Sequence, residues 1–98
     1  GKTVVEYITR YYAKLLASRQ ITVTVFIPGF TKTEAWNYLT AKSGGVDSEM
    51  MQQKIKNTPM QRWCSSTEIG QVVAFLCSPK AAFITGVSLP IDGGLHLQ

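Results

Sequence analysis

Histidine is nearly missing from this sequence. His96 is the only one, and it lies close to the end of the chain. Cysteine is sparse too, with Cys64 and Cys77 too far apart for a CxxC pair. A protein zinc site takes about four clustered ligands, so the residues offer no metal centre. Two isolated cysteines read as reduced thiols and not as a disulfide framework. No apolar run approaches the ~20 residues that a membrane-spanning helix needs. Charge is scarce as well: Asp, Glu, Lys and Arg make up 16% of the chain, against about a quarter in average proteins. Low charge implies faces covered by other parts of the fold or by other subunits. The net charge of +4 comes from dispersed bases with no run of one sign. No face interleaves bases with aromatic rings, so nucleic acid is not an expected partner. The expectation is a cytoplasmic protein that binds neither membrane nor nucleic acid.

What is present is a helix–strand grammar in 98 residues, enough for at most one domain and with a thin margin for folding alone. The chain opens Gly1-Lys2-Thr3, without an initiator Met and already inside a helical pattern, and so reads as a piece of a longer protein. From Thr3 to Ser18, Val4, Val5, Ile8, Tyr12, Leu15 and Leu16 recur at helical spacing, with Tyr7 and Tyr11 widening the stripe. Ile21 to Ile27 is a β-branched run that ends at Pro28-Gly29. A helix leading by a short link into such a strand is one αβ unit of a parallel sheet.

The middle of the chain predicts two short helices. Thr33 caps one running to Ala41, with Trp36 and Leu39 on one side, and Ser43-Gly44-Gly45 breaks it. Asp47 is the expected cap of the second, which carries Met50, Met51 and Ile55 and stops at Asn57-Thr58-Pro59. Ser65-Ser66-Thr67-Glu68 fits a capping box for a further helix bearing Ile69, Val72, Val73 and Leu76, closed by Ser78-Pro79. A last strand, about Gly86 to Ile91, runs into Asp92-Gly93-Gly94.

The order of these segments is similar to that of the short-chain dehydrogenase/reductase family. Lys2, Val5-Glu6, Ile8-Thr9-Arg10 and Leu16-Ala17 resemble the helix that begins at the lysine of the family's Tyr-x-x-x-Lys motif. Ile21-Thr22-Val23-Thr24-Val25 resembles its sixth strand, with Thr24 where the family usually has Asn. Pro28-Gly29-Phe30-Thr31-Lys32-Thr33 matches its Pro-Gly-x-x-x-Thr. Thr58-Pro59-Met60, Arg62, Glu68-Ile69, Phe75-Leu76, Ser78, Ile84-Thr85-Gly86 and Asp92-Gly93-Gly94 follow in family order. The resemblance implies an α/β fold, the C-terminal portion of a doubly wound Rossmann-type parallel sheet. Residues 1–29 would be helix and sixth strand, 30–63 a substrate lid, and 64–98 the last helix and strand, all of one domain. It places the catalytic tyrosine three residues before Gly1, so these residues are not expected to be active alone.

Each implied site residue also has a plain reading. Lys2 taken alone is a solvated lysine in a first helical turn. The resemblance makes it catalytic and cofactor-binding: its ammonium would hold the nicotinamide ribose and lower the pKa of the tyrosine phenol. Pro28 to Thr33 alone is a turn ending a strand, followed by a helix cap. The exit from the carboxyl end of a parallel strand is also where open α/β sheets bind ligands. There Pro28, Gly29, Phe30, Thr31 and Thr33 are the implied cofactor contacts, through backbone groups at Phe30 and Thr31 and the Thr33 hydroxyl. Trp36, Tyr38, Met50 and Met51 are ordinary packing residues on base rates, and the substrate lid by resemblance.

The implied activity is hydride transfer between NAD or NADP and a small-molecule carbonyl or alcohol. The alternative is a relative that keeps the fold as a non-catalytic scaffold or assembly subunit. A free-standing binding module is disfavoured, because the Ile21–Ile27 strand would have open edges and uncovered apolar faces. The expected partners are the N-terminal part of the same fold and further copies of the chain in a homo-dimer or tetramer.

Overall fold

The computed structural model describes residues 2–39, 41, 44–45 and 47–98. Gly1, Thr40, Lys42, Ser43 and Val46 lie outside the described residues, and with them one residue of the predicted Thr33–Ala41 helix and the first residue of the predicted break. The chain forms two compact units, Gly1–Ile27 with Gln71–Pro90, and Pro28–Gly70 with Ile91–Gln98.

In the first unit, helix α1 spans Val4–Leu16. It is started by a capping box formed by Thr3 and Glu6. The Thr3 hydroxyl accepts from the Glu6 amide at 3.2 Å, and the Glu6 carboxylate accepts from the Thr3 amide at 3.3 Å. The Ser88 hydroxyl, together with Thr3, holds the Glu6 carboxyl below its ordinary range. A turn of 3-10 helix, Ala17–Arg19, follows and ends at Gln20 in the left-handed conformation. The face of α1 that is buried differs from the expected stripe. Thr9 and Ala13 are the buried residues, while Val4, Val5, Tyr7, Ile8, Tyr11, Tyr12 and Leu15 are all exposed. Ala13 faces Gly86, where an added Cβ would meet the Ala13 Cβ at 3.5 Å, an ordinary van der Waals distance.

Strands β1 (Val25–Pro28) and β2 (Ser88–Ile91) pair in parallel. The Val25 amide donates to the Val87 carbonyl at 3.1 Å, and further along the Gly29 amide donates to Ile91 at 3.0 Å, so both strands advance in one direction. β1 is shorter than the Ile21–Ile27 run predicts. The Val23 amide is taken by the Thr85 hydroxyl at 3.0 Å and not by a ladder carbonyl, so regular pairing begins only at Val25. Phe26 and Ile27 are exposed, leaving this strand with bare apolar surface.

In the second unit, α2 spans Glu34–Leu39 and α3 spans Glu49–Lys56. Thr33 caps α2 as predicted, its hydroxyl accepting from the Trp36 amide at 3.2 Å. The cap of α3 is Ser48 and not Asp47: the Ser48 hydroxyl accepts from the Met51 amide at 3.2 Å. Asp47, one residue earlier, reaches Lys32 at 3.5 Å instead. Gly44 and Gly45 both have positive φ, 97° and 82°, which bars a helix from running through them. Among the described residues of this unit, Met51 and Ile55 of α3, with Thr31 and Thr58, are the buried ones.

Helix α4, Ser66–Leu76, starts as its sequence predicts. The Ser65 hydroxyl accepts from the Glu68 amide at 3.1 Å, and Glu68 accepts from the Ser65 amide at 3.0 Å. Arg62 adds a bidentate clamp on Glu68 with both contacts at 2.8 Å. The Arg62 guanidinium first, and the Ser65 amide second, lower the Glu68 carboxyl from 4.5 to about 2. A carboxyl depressed on folding contributes stability above its unfolded pKa and loses it as pH falls through the folded one. The first turn of α4 is therefore expected to loosen between about pH 4.5 and 2. Amide hydrogen exchange at Ser66–Glu68 reads this, and Glu68→Gln should remove the pH dependence in that window.

Candidate functional site

The Pro28–Thr33 segment lies in the second unit, immediately past β1. Proline has no amide hydrogen, but the donors facing β2 are Val25 and Gly29, so the donor missing at Pro28 belongs to the other edge and the pairing runs on to the Gly29 amide. Gly29 is there for an internal reason. A Cβ at this position would stand 2.8 Å from both Cα and Cβ of Asp92, closer than real atoms approach. Two residues on, Thr31 forms an isolated parallel bridge with Cys64. The Phe30 carbonyl accepts from the Cys64 amide at 2.9 Å, and the Lys32 amide donates to the Cys64 carbonyl at 3.0 Å. Alternation along an extended chain then turns the Thr31 amide and carbonyl to the opposite edge. The Thr31 side chain is buried, and its hydroxyl donates to the Gly29 carbonyl at 3.3 Å.

Thr33 is committed as the α2 cap, but only as an acceptor. Among the described residues its O–H hydrogen meets no acceptor, which leaves it able to donate. Cys64 is half-buried, and burial pushes its thiol pKa up, with the Glu68 carboxylate adding to the rise. It is thereby kept in the thiol form, which makes it a poor nucleophile.

Phe30 also belongs to a ring cluster. Its centroid lies 5.7 Å from Trp36 and 6.3 Å from Trp63, and the two indoles are 6.4 Å apart. The four expected lid residues part company here. Trp36 is half-buried in the cluster, Tyr38 is 82% exposed, Met50 is exposed, and Met51, at 1% exposure, is packed inside the unit. Trp63 was not singled out by sequence reasoning. Its neighbours Arg62 and Cys64 carry the signal, since one clamps Glu68 and the other bridges Thr31.

Asp92, at the end of β2, does more than close the strand. Its carboxylate accepts the Gly94 and His96 amides, each at 3.1 Å, and meets His96 Nδ1 at 2.9 Å. Burial works to raise this carboxyl, and the hydrogen bonds from His96 and Gly94 outweigh it, leaving the pKa below its ordinary value. The spacing Asp92–His96 was legible as a helical-turn pair. Among the described residues no three of His, Cys, Asp and Glu gather to hold a metal ion. No described helix is long and apolar enough to cross a membrane.

In the first unit, Lys2 is exposed and stands one residue before the Thr3 cap, not inside the helix. It lies near enough to Glu6 to add slightly to the lowering of that carboxyl. A groove of about 620 Å³ in this unit is lined by Thr22, Thr24, Phe26, Leu76 and Cys77 among others. It contains none of the predicted site residues.

A sequence profile described as Enoyl-(Acyl carrier protein) reductase matches residues 1–96. The chain belongs to the short-chain dehydrogenase/reductase family. The 3-oxoacyl-(acyl-carrier-protein) reductase FabG of Staphylococcus epidermidis is 34% identical over 90 residues, covering 92% of this chain and 34% of that protein. A crystal structure of a short-chain dehydrogenase family protein from Francisella tularensis superposes with a TM-score of 0.86 at 34% identity, over 96% of this chain and 40% of that one. A blue fluorescent protein from a metagenomic library, solved with NADPH, gives a TM-score of 0.79 at 28% identity over 93% and 34% of the two chains. This short-chain dehydrogenase/reductase sequence thus spans about a third of the length of the curated relative it matches. Its parallel β1–β2 pair is a piece of the family's Rossmann-type sheet.

Proposed function

We propose that these residues serve an NAD(P)-dependent oxidoreductase that moves a hydride between the nicotinamide cofactor and a carbonyl or alcohol. The observation that carries this reading is the Thr31 backbone edge. The bridge to Cys64 occupies one side of the segment and turns the Thr31 amide and carbonyl to the other. A primary carboxamide needs one acceptor and one donor side by side, and that edge offers both. The Thr33 hydroxyl, whose hydrogen meets no acceptor among the described residues, is a further donor for carboxamide or phosphate. These groups fit NAD and NADP equally, since both carry the same nicotinamide. When bound, the cofactor supplies the hydride.

The remaining work falls to the chain. Thr31 and Thr33 orient the nicotinamide through their backbone edge and hydroxyl. Lys2 holds the ribose and, as a cation, lowers the pKa of the phenol four residues before it in the family's motif. A phenol titrates near ~10 when unperturbed and has to come down to trade a proton at neutral pH. Trp36, Tyr38, Met50 and Met51 belong to the proposed lid segment, in which Met51 acts as its packed base.

Calorimetric titration of the intact protein with NADPH and NADH is the direct test. At least one is expected to bind, and Thr33→Val should weaken it by about 1 kcal/mol, the worth of one hydrogen bond. Binding of neither cofactor to the wild-type protein would overturn the reading.

The exposed apolar face of α1 supports a further part of the proposal, a symmetric homo-oligomer. Val4, Val5, Tyr7, Ile8, Tyr11, Tyr12 and Leu15 turn outward together, a surface that a chain in water would cover. A two-fold axis through this face makes it self-complementary. The expected result for Tyr11→Glu is dissociation seen by light scattering, because a charge would be desolvated without a partner. A wild-type protein that is monomeric at micromolar concentration defeats the assembly.

A further inference from the structure

One turn, Asp92–Gly94, carries both ends of the proposed lid. At the near end the Gly29 amide donates to the Ile91 carbonyl at 3.0 Å, and a Cβ on Gly29 would stand 2.8 Å from Asp92. Toward the far end the Met60 amide donates to the Gly93 carbonyl at 3.0 Å. A Cβ on Gly94 would come to 3.0 Å from the Pro59 Cβ, so the turn lies closely against the chain that follows α3. The backbone thus leaves this turn at Gly29, runs through α2 and α3, and returns to it at Met60. A segment whose two ends share one seat swings about that seat.

The residues after the turn make the seat firm. Leu95–Leu97 is a single 3-10 turn, and Gly94 before it has no side chain to cap it. Asp92 supplies the cap instead. Its side chain, 8% exposed, accepts the Gly94 and His96 amides, and the His96 ring nitrogen lies against it at 2.9 Å. Gln98 then reaches back across the unit, its Nε2 donating to the Asn57 carbonyl at 2.6 Å. Asn57 closes α3, and the last carbonyls of a helix have no partner within it. The tail is therefore fastened to Asp92 at one point and to the end of α3 at another.

Resting on the reading of Pro28–Thr33 as the cofactor turn and of residues 30–63 as the lid, we propose that Asp92, His96 and Gln98 are positioning residues of that lid, a strap that fixes its pivot and so sets how long the bound nicotinamide nucleotide stays. None of the three is a proposed cofactor contact. They act through the backbone of Gly29 on one side and of Asn57 to Met60 on the other. His96 and Gln98 are exposed, so truncating either removes its hydrogen bond and opens no cavity.

The test uses the intact protein and whichever of NADPH and NADH binds it. His96→Ala and Gln98→Ala should each speed release of that nucleotide about fivefold in stopped-flow displacement, the scale of one hydrogen bond, with the binding stoichiometry unchanged. A merely structural loss would lower the stoichiometry, because less protein would be folded, and leave the release rate of the remainder as it was. Exchange of the Met60 amide, held by the Gly93 carbonyl, should quicken in both variants. His96→Asn places an amide donor near the site of the ring nitrogen and should restore the wild-type release rate. Unchanged release, unchanged Met60 exchange, or no rescue by His96→Asn each overturns the strap. Quicker Met60 exchange in the variants of a protein that binds neither nucleotide would instead remove the cofactor reading and leave the strap standing.

Discussion

Lys2→Met in the intact protein is expected to lower turnover by at least ~100-fold, the scale of lost acid–base assistance. Thermal stability should stay level or rise slightly. The reason lies at the start of α1, where the cap is made by Thr3 and Glu6, and Lys2 contributes only a slight attraction for the Glu6 carboxylate. A cation before the first turn faces the positive end of the helix dipole, a position in which it is disfavoured by about 0.3–1 kcal/mol. Removing the charge therefore takes away an electrostatic cost, and a fall in rate cannot be traced to unfolding. A residue that works against its own helix is a sign that something other than the fold requires it. Lys2→Arg keeps the charge in a different shape and should recover part of the rate. Steady-state kinetics and melting curves on the same preparations decide the matter, and unchanged kinetics in the Met variant end the assignment.

Gly29→Val should fail for the opposite reason, through stability first. The added Cβ would stand 2.8 Å from the Cα and Cβ of Asp92, and Asp92 has little freedom to retreat. Its carboxylate is bonded to the Gly94 and His96 amides and to the His96 ring, and its neighbour Ile91 is tied to the Gly29 amide. Overpacking against such a fixture costs about 1–3 kcal/mol for a single carbon, and the two methyls of valine enlarge the misfit. Gly29→Ala should thus lower the denaturant midpoint clearly, and Gly29→Val should lower it further. An alanine variant as stable as wild type would mean that the Asp92 turn yields easily. The glycine is required by the chain itself, whether or not a cofactor also approaches there.

Much of the element order was legible because local chemistry announces it. Ser65 to Glu68 could be read as a capping box from spacing alone, and Pro28-Gly29 marked the end of β1. Thr33 was found as a cap because a hydroxyl in front of a short helical pattern has few other uses. Asp47 is the expected cap and Ser48 the actual one: both are good capping residues, and spacing does not say which of two neighbours has the non-helical dihedrals. Periodicity showed that α1 has an apolar stripe, but it carries no information on which stripe meets the strand. The buried positions proved to be Thr9 and Ala13, chosen by size and not by hydropathy. Trp63 was invisible for another reason: its place beside Phe30 is created by the Thr31–Cys64 bridge, and pairings between distant residues leave no trace in spacing.

Ala13 and Gly86 also limit how this chain can change over generations. Gly86 has φ of 73°, a conformation in which a side chain would be strained by the backbone. A Cβ added at position 86 would meet the Ala13 Cβ at an ordinary contact distance of 3.5 Å, so it is the backbone and not the space before α1 that restricts position 86. The constraint on Ala13 is its own burial, 3% exposed on a helix whose outer positions carry valine, isoleucine and tyrosine.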